Sequence, residues 1–228
     1  MMLYLSRCPM SFYLIMTQNF KHDSICIGRL FIVSATSGAG KTSLVRYLVD
    51  NLDNIVVSIS HTTRVRRPAE VDAQDYFFVD DIVFNKMINH GEFIEYARVF
   101  GALYGTSRTQ ILTRLEQGID VVLDIDWQGA LQIKHLFPSA VGVFILPPSL
   151  AVLKQRLLNR QQDNKEVIVQ RMQRARDEIK HYNEFDYLIV NDDFGLAAQD
   201  LIAIVVAERL KLSNQLLRQQ QLLISFNK

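Results

Sequence analysis

Cysteine is nearly missing from this chain: its 228 residues include two, Cys8 and Cys26, both close to the N-terminus. A disulfide framework is excluded, and the pattern fits a reducing compartment. An excess of one charge is also missing, with 25 basic side chains against 24 acidic ones. That balance excludes nucleic acid held by bulk attraction to phosphate, and it excludes a polyacidic disordered tail. No apolar run approaches the roughly 20 residues that a transmembrane helix needs, and no segment has the apolar core and small-residue cleavage site of a secretory leader. Neither a repeat nor a low-complexity tract appears, and the five histidines (His22, His61, His90, His135, His181) show no metal-ligand spacing. What is present is an ordinary globular composition, 49% hydrophobic. A chain of this length buries roughly 70% of its unfolded surface, so it needs no staple, and a soluble cytoplasmic domain with insertions is expected.

The first 27 residues stand apart. Small apolar clusters at Leu3–Leu5 and Phe12–Met16 are broken by Arg7 and Pro9, and Met10 and Met16 could each be a start. This segment is expected to be an extension outside the fold, or an overlong start. From Leu30 onward, short apolar runs alternate with longer amphipathic ones. Leu30–Val33, Ile55–Ser60, Ile119–Ile125, Val141–Leu146 and Tyr187–Val190 read as strands, and Thr42–Leu52 reads as a helix. Strand and helix in alternation predict an α/β fold, a parallel sheet with helices on both faces. Between His61 and Ser107 the rhythm changes to short β-like pieces, Tyr76–Val79 and Phe93–Tyr96, around a helix from Asp81 to His90 that Gly91 stops. That stretch predicts an inserted α+β subdomain. A single long helix is expected from Leu196 to Leu223, suited to docking on the core or to oligomerisation.

One motif carries chemistry by itself. Ser34-Ala35-Thr36-Ser37-Gly38-Ala39-Gly40-Lys41-Thr42 lies between an apolar strand and a helix, as a P-loop must. Backbone N–H groups in such a turn converge on phosphate oxygens, aided by the helix N-terminus. Lys41 reaches the β- and γ-phosphates there, and the Thr42 hydroxyl is a ligand for Mg²⁺. Ala35 stands where the pattern usually has its first glycine, so a tighter backbone constraint is expected at that turn. Asp124, ending an apolar strand, resembles a Walker B carboxylate that orients the metal's shell.

Other features are weaker alone. Arg64, Arg66 and Arg67 crowd a loop stiffened by Pro68, where guanidinium forks could converge on one phosphate, although most charge runs are solvated faces. Tyr76 and Tyr104 could donate to the same group. Glu95 is a charge inside an apolar strand, and simple alternation turns it to solvent. From Lys154 to Lys180 basic residues outnumber acidic ones, and Arg174, Arg176 and Lys180 read as solvated. Trp127 is expected to pack the helix that follows the central strand.

Together these segments carry a resemblance. SATSGAGKT, SHTTRVRRPAE, DYFFV, FIEYARVFGALYGTS, DIDWQGA and VNDD stand in the order seen in guanylate kinases, and from Gly28 to about Leu210 the chain is similar to the bacterial form of that family. The resemblance implies transfer of the γ-phosphoryl of MgATP to GMP, and to dGMP. It implies ATP contacts from Ala35, Thr36, Ser37, Gly38, Ala39, Gly40, Lys41, Thr42, Ser43 and Asn191, the last beside the adenine ring. The metal falls to Thr42 and Asp124. GMP falls to Ser60, Arg64, Arg67, Tyr76, Glu95, Tyr104, Thr106 and Asp126, with Glu95 reading the guanine base. Catalytic cations are Lys41, Arg64, Arg156, Arg160 and Arg171, the last three in a closing lid. Gln161 departs from the family's usual glycine after that arginine. The implied organisation is an extension (1–27), core with P-loop (28–60), GMP-binding subdomain (61–107), core (108–152), lid (153–182), then core and C-terminal helix (183–228). Two rivals remain: a catalytically silent protein-interaction domain of the same fold, and a P-loop kinase for another small phosphate acceptor. No nucleic-acid or membrane partner is expected, and monomer or homo-oligomer is left open.

Overall fold

The computed structural model describes residues 28–99, 101–159 and 165–226. The expectations for residues 1–27, Arg160 and Gln161 lie outside the described residues. The chain runs β1 (Leu30–Ala35), α1 (Lys41–Asn51), β2 (Ile55–Val57), β3 (His61–Thr62), β4 (Phe77–Phe78), α2 (Asp81–Asn89), β5 (Phe93–Val99), β6 (Ala102–Ser107), α3 (Arg108–Glu116), β7 (Asp120–Asp124), α4 (Trp127–Leu136) and β8 (Val141–Leu146). There follow α5 (Leu150–Asn159), α6 (Lys165–Ile179), a 3₁₀ turn at Tyr182–Glu184, β9 (Tyr187–Val190), α7 (Phe194–Leu210), α8 (Leu212–Arg218) and α9 (Gln220–Ser225).

The main sheet has five parallel strands in the order β2-β7-β1-β8-β9. Its central strands are apolar on both sides because helices cover both faces. On one face Phe31, Val33, Val143 and Ile145 pack against Leu44, Val45 and Leu48 of α1 and Ala198, Leu201 and Val205 of α7. On the other, Ile32, Val121 and Leu123 meet Ile111 and Leu115 of α3 and Ala130 and Ile133 of α4. The α/β class read from the apolar runs is therefore observed. Among the described residues no helix is long and apolar enough to cross a membrane.

A second, four-stranded sheet has the order β4-β3-β6-β5, mostly antiparallel, with Phe84 of α2 packed on Phe93 and Leu103. Asp80 caps α2 by accepting from the Val83 N–H, and Gly91, at φ +66°, ends it. The long C-terminal helix is a correction: three helices stand there, broken at Lys211 with φ −53° and ψ 137°. Side chains from the new turn take over the freed carbonyls, with Asn214 Nδ2 donating to Glu208 O at 2.6 Å and Gln215 Nε2 to Arg209 O at 2.9 Å.

Candidate active site

The P-loop leaves β1 at the carboxyl edge of the parallel sheet, where strand ends leave room for a ligand. Gly38 and Gly40 take φ of +96° and +97°, conformations that side chains with a Cβ disfavour. Space is short too: a Cβ at Gly38 would stand 3.0 Å from Leu157 Cδ2, and one at Gly40 would run into Asn191 Nδ2. Ala35 closes β1 beside Ile145 and has no positive φ, so the constraint expected from its Cβ does not arise.

Around this loop the charges interlock. Lys41 Nζ donates to Ile125 O at 2.7 Å and pairs with Asp124 at 2.7 Å. The Thr42 hydroxyl donates to the other oxygen of Asp124 at 2.9 Å. Ser37 N–H donates to the Glu178 carboxylate, from α6, at 3.2 Å. Burial holds the Glu178 carboxyl above its ordinary range, against the Ser37 N–H and the Lys41 charge, while Asp126 adds to the rise. Asn191 is buried, with Nδ2 donating to Ala39 O at 2.7 Å and its backbone carbonyl accepting from Arg156 Nη2 at 3.0 Å. Its amide nitrogen is thus spent on holding the loop, while the residue still lines a 390 Å³ cavity with Gly38, Gly40, Ser43, Arg156 and Phe194. Thr36 is buried within the loop, and Arg171 stands half-buried on α6.

Across the cleft the second sheet supplies the other half. Glu95 on β5 faces Thr106 on β6 in register, and both are buried. The Thr106 hydroxyl donates to Glu95 Oε1, and Ser60 Oγ lies 3.5 Å from the same hydroxyl. Burial pushes the Glu95 carboxyl up to about 7, a rise that Thr106 and Lys41 oppose and the Asp126 charge assists. Asp126 itself caps α4, accepting from Gly129 N–H at 3.0 Å and Gln128 Nε2 at 3.1 Å. The expectation from alternation, that Glu95 faces solvent, is overturned. Phe93 packs into the second sheet's core and Ile94 into the main core, so β5 is covered on both sides.

Further out, Arg64 Nε donates to Tyr104 OH at 3.1 Å, and its guanidinium lies 5.4 Å above the Tyr76 ring. Burial raises the Tyr76 hydroxyl far above its usual range, so it stays a donor. Arg64 Nη2 also donates to Glu70 at 2.7 Å, while Arg67, more exposed, meets the same carboxylate at 3.7 Å. Sequence reasoning singled out neither Glu70 nor Glu178. A lone acid within SHTTRVRRPAE was the available signal for the first; the second sits at an ordinary position of an amphipathic helix. Trp127, expected to pack the helix after the central strand, opens that helix and stacks on His181 at 3.5 Å between ring centroids. Arg174 is exposed, as expected, at the rim of a 370 Å³ cavity lined also by Arg98, Asp126, Trp127 and Glu178. His61 stacks on Phe77, and burial holds its imidazole below the usual range.

The guanylate kinase family model matches residues 27–208. The chain is 58% identical over 196 residues to the guanylate kinase of Legionella pneumophila (strain Paris), which covers 86% of this chain and 94% of that protein. It is 54% identical over 182 residues to that of Coxiella burnetii, covering 80% and 88%. The crystal structure of guanylate kinase from Anaplasma phagocytophilum superposes with a TM-score of 0.70 at 34% identity, over 82% of this chain and 89% of that one. The chain belongs to the guanylate kinase family. For a guanylate kinase, the arrangement has a plain chemical sense: an anion-binding loop on one wall, and on the other a buried acceptor–donor pair beside an arginine–tyrosine cluster.

Proposed function

We propose that the chain transfers the γ-phosphoryl group of ATP to GMP, giving ADP and GDP. The observation that carries this is the buried Glu95–Thr106 pair facing the P-loop cleft. Guanine offers N1–H and the 2-amino group as adjacent donors and O6 as an acceptor. An ionised Glu95 accepts from the first two, and Thr106, released from Glu95, donates to O6, with Ser60 and Asp126 beside them. Adenine would present an acceptor to Glu95 and an amine to Thr106. Arg64, Arg67, Tyr76 and Tyr104 hold the GMP phosphate, and Glu70 orients the arginines until it arrives. These residues engage base and phosphate and none is assigned to the 2′-hydroxyl, so dGMP is an acceptor too.

On the donor side the P-loop from Ala35 to Ser43 cradles the phosphates, and the base enters the cavity beside Arg156 and Asn191. The oxygen set of Thr42 and Asp124, 2.9 Å apart, suits a hard divalent cation. Mg²⁺ held there would neutralise charge on the β- and γ-phosphates. In transfer, a GMP phosphate oxygen forms the new bond to the γ-phosphorus as the bond to the β-bridging oxygen breaks, leaving ADP. Lys41, Arg156, Arg160 and Arg171 meet the charge that spreads over the equatorial oxygens. Residues 61–107 act as the acceptor subdomain and 153–182 as the lid, and their closure excludes water that would otherwise hydrolyse ATP. A reaction on free nucleotides fits the cytoplasm. A silent interaction domain has no use for a Lys41, Thr42 and Asp124 set joined by hydrogen bonds.

A coupled assay of ADP release with GMP, dGMP, AMP, UMP and CMP tests the reading. GMP and dGMP should turn over, and kcat/KM for AMP should fall about 10⁴-fold below that for GMP. Comparable turnover with AMP would overturn it.

A further inference from the structure

Gly129 occupies the first turn of α4 and is buried. Its N–H is bonded to the Asp126 cap at 3.0 Å, and its φ is not among the positive ones, so no backbone angle calls for glycine. Glycine inside a helix is unfavourable relative to alanine. A different demand acts at this position. A Cβ built on Gly129 would lie 2.5 Å from Glu95 Oε2 and 3.1 Å from Glu95 Cδ. The first is closer than Cβ atoms tolerate and the second is tight, so the carboxylate would have to shift. The other carboxylate oxygen, Oε1, accepts from Thr106. One oxygen is therefore fixed by a hydrogen bond and the other by the bare face of a helix.

Two hydrogen bonds resist a shift of the helix away from the strand. One turn further along, Gln132 Nε2 donates to Tyr96 O at 2.9 Å, and Tyr96 N–H donates to Gln132 Oε1 at 3.3 Å. This reciprocal clip ties α4 to the backbone of β5 next to Glu95. Gly105 of β6 sits against the Phe84 and Phe93 rings, which a Cβ there would meet at 2.9 and 3.0 Å, so β6 is closely packed next to β5. An added methyl at position 129 must displace the one group free to rotate, the Glu95 carboxylate.

We propose that Gly129 is a specificity-positioning residue: its missing side chain is the seat that orients both Glu95 oxygens toward the acceptor base. The inference rests on the assignment of Glu95 to guanine, and it adds a second element, α4, to base selection. Glu95→Ala and Gly129→Ala, singly and together, test it. Gly129→Ala should raise KM for GMP at least tenfold, leave KM for ATP within about twofold, and keep kcat at saturating GMP within about threefold. A residue that mattered only for folding would not divide the two substrates in this way. The coupling has a second readout. In the Glu95→Ala background the clash is gone and helix propensity remains, so adding Gly129→Ala should raise the melting temperature by about 2–4 °C. In the wild-type background that gain should be missing or reversed.

A changed GMP KM in Glu95→Ala with an unchanged one in Gly129→Ala would overturn the inference and leave the base reading standing. An unchanged GMP preference in Glu95→Ala would overturn both. Should Gly129→Ala alone fail to fold, the double variant decides: a folded protein melting above Glu95→Ala supports the seat, and one that also fails to fold overturns it.

Discussion

Glu95 meets two demands that conflict. In its proposed role it must be ionised to accept from both guanine donors, yet burial favours its protonated form and moves the carboxyl up to about 7. GMP binding should therefore strengthen as pH rises through about 7, with KM falling up to about tenfold per unit below it, while KM for ATP follows less steeply. The GMP phosphate has its own ionisation near 6, so Glu95→Gln is the control: its profile should keep only the phosphate step. Identical profiles would sink the assignment. Stability carries the same sign. A folded-state value raised above the ordinary 4.5 contributes stability fully present below 4.5 and lost as pH rises through about 7. Glu95→Gln should accordingly melt above the wild type at pH 8, and the difference should close toward pH 4. The burial behind this was not legible in the strand pattern. Alternation assumes one wet face, and Phe93, Glu95 and Ile94 lie in a strand covered on both sides and irregular in register between Phe93 and Glu95.

At the scale of elements, α6 reaches the P-loop through a carboxylate. Glu178, near the end of α6, places its oxygen on the Ser37 N–H, a donor that a P-loop otherwise offers to a phosphate. Lys41 is likewise committed to Asp124. On the proposed function, a phosphate entering the loop displaces the first contact and loosens the second. Removing the charge with Glu178→Gln should tighten ATP binding about fivefold, the equivalent of roughly 1 kcal/mol, with KM for GMP little changed. Steady-state kinetics against ATP at fixed GMP reads this directly, and a weaker ATP KM would show instead that Glu178 holds the loop in its binding shape. The elements themselves were unevenly legible. Runs such as Phe31–Val33 and Val121–Leu123 announce strands because parallel central strands are apolar throughout. By contrast β3 is the two residues His61–Thr62, and β6 reads Ala-Leu-Tyr-Gly-Thr-Ser; both are strands because β5 and its neighbours pair with them, not because of their own pattern.

The whole molecule is closed at the end of the sheet opposite the P-loop, and there the organising residue is Asp120. Sequence reading absorbed it into the apolar run Ile119–Ile125, since nothing local marks it as different. In the fold it is fully buried at the start of β7. Its carboxylate accepts from Arg29 N–H at 2.7 Å, from Arg209 Nε at 2.7 Å and from Arg218 Nη2 at 3.2 Å. Those donors come from the segment entering β1, from the last turn of α7 and from α8. The break at Lys211 is what lets α8 turn so that Arg218 reaches the same carboxylate, and this explains why one long helix does not form. Glu208, equally buried, reinforces the junction by accepting from Tyr187 OH at 2.6 Å and pairing with Lys211 at 2.6 Å and Arg29 at 3.3 Å. Deleting one member of a buried, multiply bonded charge cluster leaves its partners uncompensated, at a cost of about 3–5 kcal/mol. Asp120→Ala should lower the stability measured by denaturant unfolding by that amount. KM for ATP and for GMP should stay within about twofold below the new melting point, because the cluster and the cleft lie at opposite ends of the strands. A variant of undiminished stability would show that the C-terminal helices are held by their apolar contacts alone, and a changed GMP KM would show that the two ends of the sheet are coupled.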